Sequence, residues 1–264
     1  MSSEFSTIQP GGSLILAWRI QGKKVLVIGG GAVASGRINH VLNADGIPIV
    51  VSPEKGLCKE VEFRIHEKQV EWRNREFSPE DVTDDIAMVL SAVDDPSLST
   101  QIYQLCQSKR IPINAADIPP ECDFYFGAEI REGPLQIMVS TNGKGPKLAT
   151  IIRNHIRDNL PDGVSPAITQ TGLLRQKLRE LAPTPEMGRK RMRWMIRLCE
   201  KWTLNELGSL KEEHMDKLLC HFPSSVPTYK ELTRPPPSAF ANCIWATTIL
   251  LTGGLVFAKY WKQR

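Results

Sequence analysis

The chain has no C-x-x-C pair. Its six cysteines, Cys58, Cys106, Cys122, Cys199, Cys220 and Cys243, are scattered through 264 residues. That spacing argues against a disulfide framework or a structural zinc site and points to a reducing, cytoplasmic setting. The five histidines, His40, His66, His155, His214 and His221, form no ligand pattern either, so no resident metal is expected. Excess charge is also scarce: the formal balance is only +4, too mild to imply a nucleic-acid partner, and none is expected. Near the start, the one apolar run, Leu14 to Trp18, is too short for a signal-peptide core. The first residues read as a loose leader.

The run Val25-Leu26-Val27-Ile28 enters Gly29-Gly30-Gly31 and then a stretch with helical spacing. A buried strand delivering the chain to a phosphate-cradling turn has this form, here G-x-G-x-x-A. Gly29 permits the turn, Gly31 lets backbone approach a pyrophosphate, and Ala34 lets helix pack close to strand. The N–H groups of Ala32 and Val33, in the first turn, face the anion. The helix reads as Val33 to Ala44 and the next strand as Ile47 to Ser52. Where a NAD site usually carries an acidic residue for the ribose, the chain has Ser52 followed by Pro53, leaving the Ser52 hydroxyl and nearby Lys55.

Further strands are expected at Val70 to Phe77, Ile86 to Val93 and Ile111 to Ala116. The fourth leads into Asp94-Asp95-Pro96-Ser97, where Asp95 or Ser97 caps a helix from Leu98 to Lys109 and Asp94 faces the ligand end of the sheet. The alternation predicts an α/β fold with a Rossmann-like, doubly wound parallel sheet. A hairpin follows, Phe124 to Ile130 and Leu135 to Ser140 around Arg131-Glu132-Gly133-Pro134. A second glycine-rich turn, Thr141 to Pro146, opens a helix from Lys147 to Leu160. From Ser165 to His221 the chain reads as a small helical domain. Between Gly172 and Lys201 nine basic residues stand against three acidic ones, a face suited to a polyanion. Arg234-Pro235-Pro236-Pro237 reads as a stiff linker. Ala239 to Ala258 is then twenty residues without a charge, followed by Lys259, Tyr260, Trp261 and Lys262. This is read as possible membrane attachment through a transmembrane segment. The expected domains are 1–123 for NAD, 124–160 for dimerisation, 161–234 helical, and 235–264 as linker and anchor.

Two segments carry a narrower signal. Asn114-Ala115-Ala116-Asp117 with Asp123-Phe124-Tyr125-Phe126-Gly127-Ala128, followed by Ser140-Thr141-Asn142-Gly143, closely resembles the siroheme synthase family, with the fungal bifunctional type as the nearest pattern. The order of elements agrees from about residue 14 to 221. The resemblance implies NAD-dependent oxidation of precorrin-2 to sirohydrochlorin and insertion of ferrous iron, as substrate, in one cleft of a homodimer. It implies that Asp117 is the general base for both steps; without it, an aspartate before Ile118-Pro119-Pro120 reads as a turn brace. The implied cofactor is NAD, at Gly29, Gly31, Ala32, Val33, Ser52 and Asp94. Asn142, Lys144, Lys147 and Arg153, with the Arg189 to Arg197 tract, are the candidates for the carboxylates of the tetrapyrrole substrate. Two other readings stay open: a dehydrogenase without chelatase activity, and a membrane-tethered dinucleotide sensor without turnover.

Overall fold

The computed structural model describes residue 8 and residues 10–234. The linker and apolar run expected over 235–264 lie outside the described residues, and no helix among the described residues is long and apolar enough to cross a membrane.

Strands β1 (Lys24–Ile28), β2 (Ile47–Val51), β3 (Glu71–Arg73), β4 (Ile86–Ser91) and β5 (Ile113–Ala115) form one sheet in the order β3-β2-β1-β4-β5. Every pairing is parallel, with Leu26 beside Ile49 on one side and Val89 on the other. The β-branched, continuously apolar strands suit burial on both faces. Alternation then sorts their side chains. Val25, Val27, Val50, Met88 and Leu90 pack with Ala34, Ile38 and Val41 of helix α1 (Ala32–Asn43) and with Val61 of helix α2 (Lys59–His66). Leu26, Ile28, Ile49, Val51, Val89 and Ile113 pack on the opposite face with Ile102 and Cys106 of helix α3 (Pro96–Lys109). Helices on both faces and a strand order that reverses at β1 make the doubly wound, Rossmann-like sheet.

Several expected elements are shorter in the structure. The third strand stops at Arg73 because the chain turns back there: Asn74 Oδ1 accepts from the Glu54 amide, and Arg73 and Arg75 converge on the buried Asp81 carboxylate at 2.8 and 2.6 Å. The last sheet strand starts at Ile113, after Pro112, instead of Ile111. Helix α2 was not anticipated; its apolar periodicity is diluted by Lys59, Glu60, Glu62 and Arg64.

Past the sheet, β6 (Ala128–Glu132) and β7 (Leu135–Val139) pair as the expected hairpin, and α4 (Pro146–Asp158) follows. Its first aromatic residues, Phe124 and Phe126, are not in the strand. Among the described residues the chain gathers into two compact units. One holds the residues up to Ala128 with Met138–Arg153, and the other holds Glu129–Ile137 with the chain from Asn154. The second contains α5 (Val164–Leu181), α6 (Gly188–Lys201), α7 (Leu204–Gly208), α8 (Glu212–Leu219) and α9 (Tyr229–Thr233) around Leu174, Leu178, Trp194, Leu198 and Leu218. Capping boxes at Thr203/Glu206 and Thr228/Glu231 start two of these short helices. The indole N–H groups of Trp194 and Trp202 donate to the Ser225 and Pro227 carbonyls.

Candidate functional site

The residues that follow four of the parallel strands, Gly29, Ser52, Ala92 and Ala116, line one crevice of about 520 Å³. It opens where the strand order reverses, the place at which such sheets bind ligands. All six residues expected to hold the cofactor, Gly29, Gly31, Ala32, Val33, Ser52 and Asp94, are in its lining.

The three glycines have three different reasons. Gly29 has φ +110°, and a Cβ there would lie 2.3 Å from the Ala92 carbonyl oxygen. Only glycine fits that turn. A Cβ at Gly30 would meet Leu57 Cδ2 at 2.6 Å, Ser52 Oγ at 2.8 Å and the Gly56 oxygen at 2.9 Å, so the middle glycine lets the turn press against the loop after β2. The expected motif did not use Gly30; the run of three glycines was the available signal. A Cβ at Gly31, the N-cap of α1, would meet nothing within 4 Å. Its side of the turn is open space at a helix N-terminus, which is what an anion requires.

Two other expectations need refinement. Ser52 is buried, its hydroxyl donates to the Pro53 carbonyl at 3.1 Å, and its own carbonyl accepts from Trp72 Nε1 at 3.0 Å. Its hydroxyl is engaged by its own chain, so its place in the lining is packing beneath Gly30. The Asp94-Asp95 pair divides its work: Asp95 Oδ1 accepts from the Ser97 amide and hydroxyl, both at 2.8 Å, and from the Leu98 amide, which holds its carboxyl below the usual range. Asp95, not Ser97, is the cap, and Asp94 is left to the crevice.

A second cleft, of about 750 Å³, adjoins the first, and Ala116, Asp117 and Ile118 line both. Asp117 follows β5 with φ +61°, left-handed backbone that an L-residue adopts at a cost. The loop carrying it is pinned. Asn114 Nδ2 donates to the Phe124 carbonyl at 2.8 Å, Cys122 Sγ donates to the Ala115 carbonyl at 3.0 Å, and Asp123 Oδ2 accepts from the Ile113 amide at 3.0 Å. Asn114 and Asp123 thus brace the aspartate. Burial pushes the Cys122 thiol upward, opposed by its bond to Ala115 and by the Arg37 charge. Gly127 is also required, since a Cβ there would lie 2.5 Å from Met138 Cγ.

The second glycine turn forms another wall. Asn142 and Gly143 have φ +52° and +75°, and Thr141 Oγ1 accepts from the Gly145 amide. Asn142 and Lys144 line the cleft; its lining does not include Lys147 or Arg153. The Asn142 side chain is taken up by the leader: its Nδ2 donates to the Gly11 carbonyl at 2.7 Å, and its Oδ1 accepts from Ser13 Oγ at 2.8 Å. The described part of the expected loose leader is thus held, and its Trp18 also meets Phe124 edge to face at 5.8 Å; the first seven residues lie outside the described residues.

Sequence reasoning missed Arg37, Tyr125 and Phe126, which all line this cleft. Arg37 lies at helical spacing on α1, but only the fold shows which side of that helix meets the cleft. In the second unit the basic tract is partly spent. Arg191 donates to the Ala182 and Thr184 carbonyls, Arg197 to those of Pro223 and Ser224, Lys201 to that of Val226, and Lys177 pairs with Glu212 and Asp216. These cations cap helix ends and loops, so the nine basic charges counted in the sequence overstate the free basic surface. Among the described residues no group of three or more His, Cys, Asp or Glu is arranged to hold a metal ion.

Three family models match successive segments: NAD(P)-binding over residues 16–128, sirohaem biosynthesis protein central over 132–159, and sirohaem biosynthesis protein C-terminal over 161–227. A siroheme biosynthesis protein of Schizosaccharomyces pombe is 60% identical over 264 residues, covering 100% of both chains. The corresponding siroheme biosynthesis protein of Saccharomyces cerevisiae is 30% identical over 71% of this chain and 82% of its own. A siroheme synthase of Photorhabdus laumondii is 32% identical over 61% of this chain, which spans only 34% of that longer protein. Among solved structures, SirC, a precorrin-2 dehydrogenase, superposes with a TM-score of 0.55 at 18% identity over 71% of this chain and 89% of its own, a likeness of fold.

Proposed function

The chain belongs to the siroheme biosynthesis protein family, and from that premise we propose that it oxidises precorrin-2 to sirohydrochlorin with NAD and then inserts ferrous iron to give siroheme. One observation carries the reading: Asp117, held in a left-handed conformation, stands on the shared border of the glycine-lined crevice and the larger cleft. Strain of this kind persists only where surrounding structure over-determines it, and here the Asn114, Cys122 and Asp123 contacts do so.

The crevice fits a dinucleotide. A Cβ would fill the free space beside Gly31, and the amides of the first turn of α1 are available to a pyrophosphate. When bound, NAD supplies the hydride acceptor. The substrate must also lose a proton as conjugation extends, and the exposed Asp117 carboxylate, at the cleft border, accepts it. In the chelation step the macrocycle contributes its own nitrogens to the iron. The protein has only to take up the two pyrrole protons that the ferrous ion displaces, and the same carboxylate, recharged by loss of its first proton to solvent, is placed to relay them.

The substrate-holding role falls to Lys144, at the cleft, more than to Lys147 or Arg153, outside its lining. The homodimer is supported by α4, where Leu148, Ile151 and Ile152 remain 55%, 54% and 39% exposed at i, i+3 and i+4 on one face. Membrane attachment through 239–258 rests on the apolar sequence alone.

The test is the full chain under anaerobic conditions with precorrin-2 and NAD, with and without ferrous iron. NADH absorbance is expected in both, with the sirohydrochlorin spectrum in the absence of iron and the siroheme spectrum in its presence. NADH without siroheme leaves a dehydrogenase alone; cofactor binding with no turnover overturns the enzyme reading.

A further inference from the structure

Among the described residues no contact neutralises the charge of Arg37. It is half-buried on α1, six residues after the N-cap Gly31, and lines the same cleft as Asp117. Among the described residues its guanidinium has no hydrogen-bond or ion-pair partner. Its neighbour is an aromatic face, with Cζ 4.0 Å from the centroid of the Phe126 ring. Phe126 is itself fixed, stacked on His40 at 5.0 Å and meeting Phe124 edge to face at 5.7 Å. Burial lowers the Arg37 pKa, against the favourable charge of the Asp117 carboxylate. A guanidinium has five N–H donors, and a half-buried one without an acceptor is an expensive arrangement unless a ligand completes it.

An aromatic face takes none of the five N–H donors, and an arginine seated on one can still take a carboxylate through two parallel bonds. The other arginines considered for this role are occupied or elsewhere: Arg191 and Arg197 donate to backbone carbonyls, and Arg153 lies outside the lining. We propose that Arg37, oriented by the Phe126 face, is the anchor for a peripheral carboxylate of the tetrapyrrole, registering the macrocycle over Asp117 from the same helix whose first turn holds the cofactor. This rests on the functional reading above and adds to it the residue that orients the substrate.

The experiment uses the full chain as wild type, Arg37→Gln and Arg37→Lys. Sirohydrochlorin binding is followed by tryptophan quenching, NADH binding by its own fluorescence, and dehydrogenase kinetics under anaerobic conditions. Loss of one charge-assisted pair predicts a ~10- to 100-fold rise in tetrapyrrole Kd and KM for Arg37→Gln, with NADH affinity unchanged. Arg37→Lys, keeping the charge but losing the planar fork, should recover part of that loss. Salt should weaken sirohydrochlorin binding less steeply in Arg37→Gln than in wild type. A merely structural role would move thermal stability and NADH binding together and leave the salt dependence intact. Unchanged tetrapyrrole affinity in Arg37→Gln overturns the anchor while leaving the enzyme reading standing. If Arg37→Gln fails to fold, wild-type-like KM and salt dependence, or a failure to fold, in Arg37→Lys overturns it equally. Wild type that binds no tetrapyrrole overturns both.

Discussion

The glycine turn separates two requirements, folding and cofactor binding, that one residue type usually conflates. Gly29 and Gly31 are two residues apart, yet a Cβ at Gly29 lies 2.3 Å from the Ala92 oxygen at φ +110°, whereas one at Gly31 meets nothing within 4 Å. Gly29→Ala adds disfavoured backbone, costing ~1–3 kcal/mol, to a clash with main chain that cannot rotate away, costing ~1–3 kcal/mol. We expect destabilisation of about 2–6 kcal/mol. Gly31→Ser places a favourable N-cap residue in open space, so stability should stay within ~0.5 kcal/mol of wild type. Its side chain occupies the volume an anion needs, and losing one bond to a charged oxygen, ~1.5–3 kcal/mol, weakens NAD binding by about 10- to 100-fold. Urea denaturation and NADH fluorescence titration measure the two quantities independently. Wild-type NADH affinity in Gly31→Ser would refute the cradle, and a loss of stability equal to that of Gly29→Ala would refute the steric account.

Three further outcomes follow from particular contacts. Asp117→Asn keeps a residue that tolerates left-handed backbone, so NADH binding should persist while kcat for both steps falls by ~100-fold or more; Asp117→Gly should be equally inactive and about 0.5–1 kcal/mol more stable, having shed the strain at φ +61°. Asp81 is buried, and although burial pushes its carboxyl upward, Arg75, the Ser78 amide and Arg73 together bring it from 3.8 down to about 2. Because this carboxyl is depressed by folding, its contribution of about 2 kcal/mol is complete above pH ~4 and disappears as pH falls towards 2. Acid titration of stability should therefore be flatter over that window in Asp81→Asn, which should also be less stable than wild type at pH 7. For the C-terminus, a fluorescent fusion of the full chain should sediment with membranes and one ending at Arg234 should not; equal solubility of the two would remove the anchor.

The local chemistry of the chain set the parallel sheet, the glycine turn and the hairpin, because each depends on short-range rules: β-branched runs for buried strands, glycine for backbone that a Cβ forbids, alternation for paired strands. Gly29 and Ser52 were legible in the crevice for the same reason, at the ends of the first two strands, whereas Ala92 and Ala116 read as parts of longer strands and only the shorter β4 and β5 of the structure release them to the lining. Asp117 read on its own as a turn brace before Ile-Pro-Pro and as a general base only through the family resemblance; its left-handed backbone and its place on the border of two clefts came from the tertiary structure. Only packing decided which charges are free. Arg191, Arg197 and Lys201 resemble Arg37 in sequence, but backbone carbonyls take up their donors, whereas Arg37 comes to rest against Phe126, some ninety residues further along the chain, in the lining of the cleft. Pairing between residues so far apart in sequence depends on how elements dock, and no propensity of the individual residues contains it.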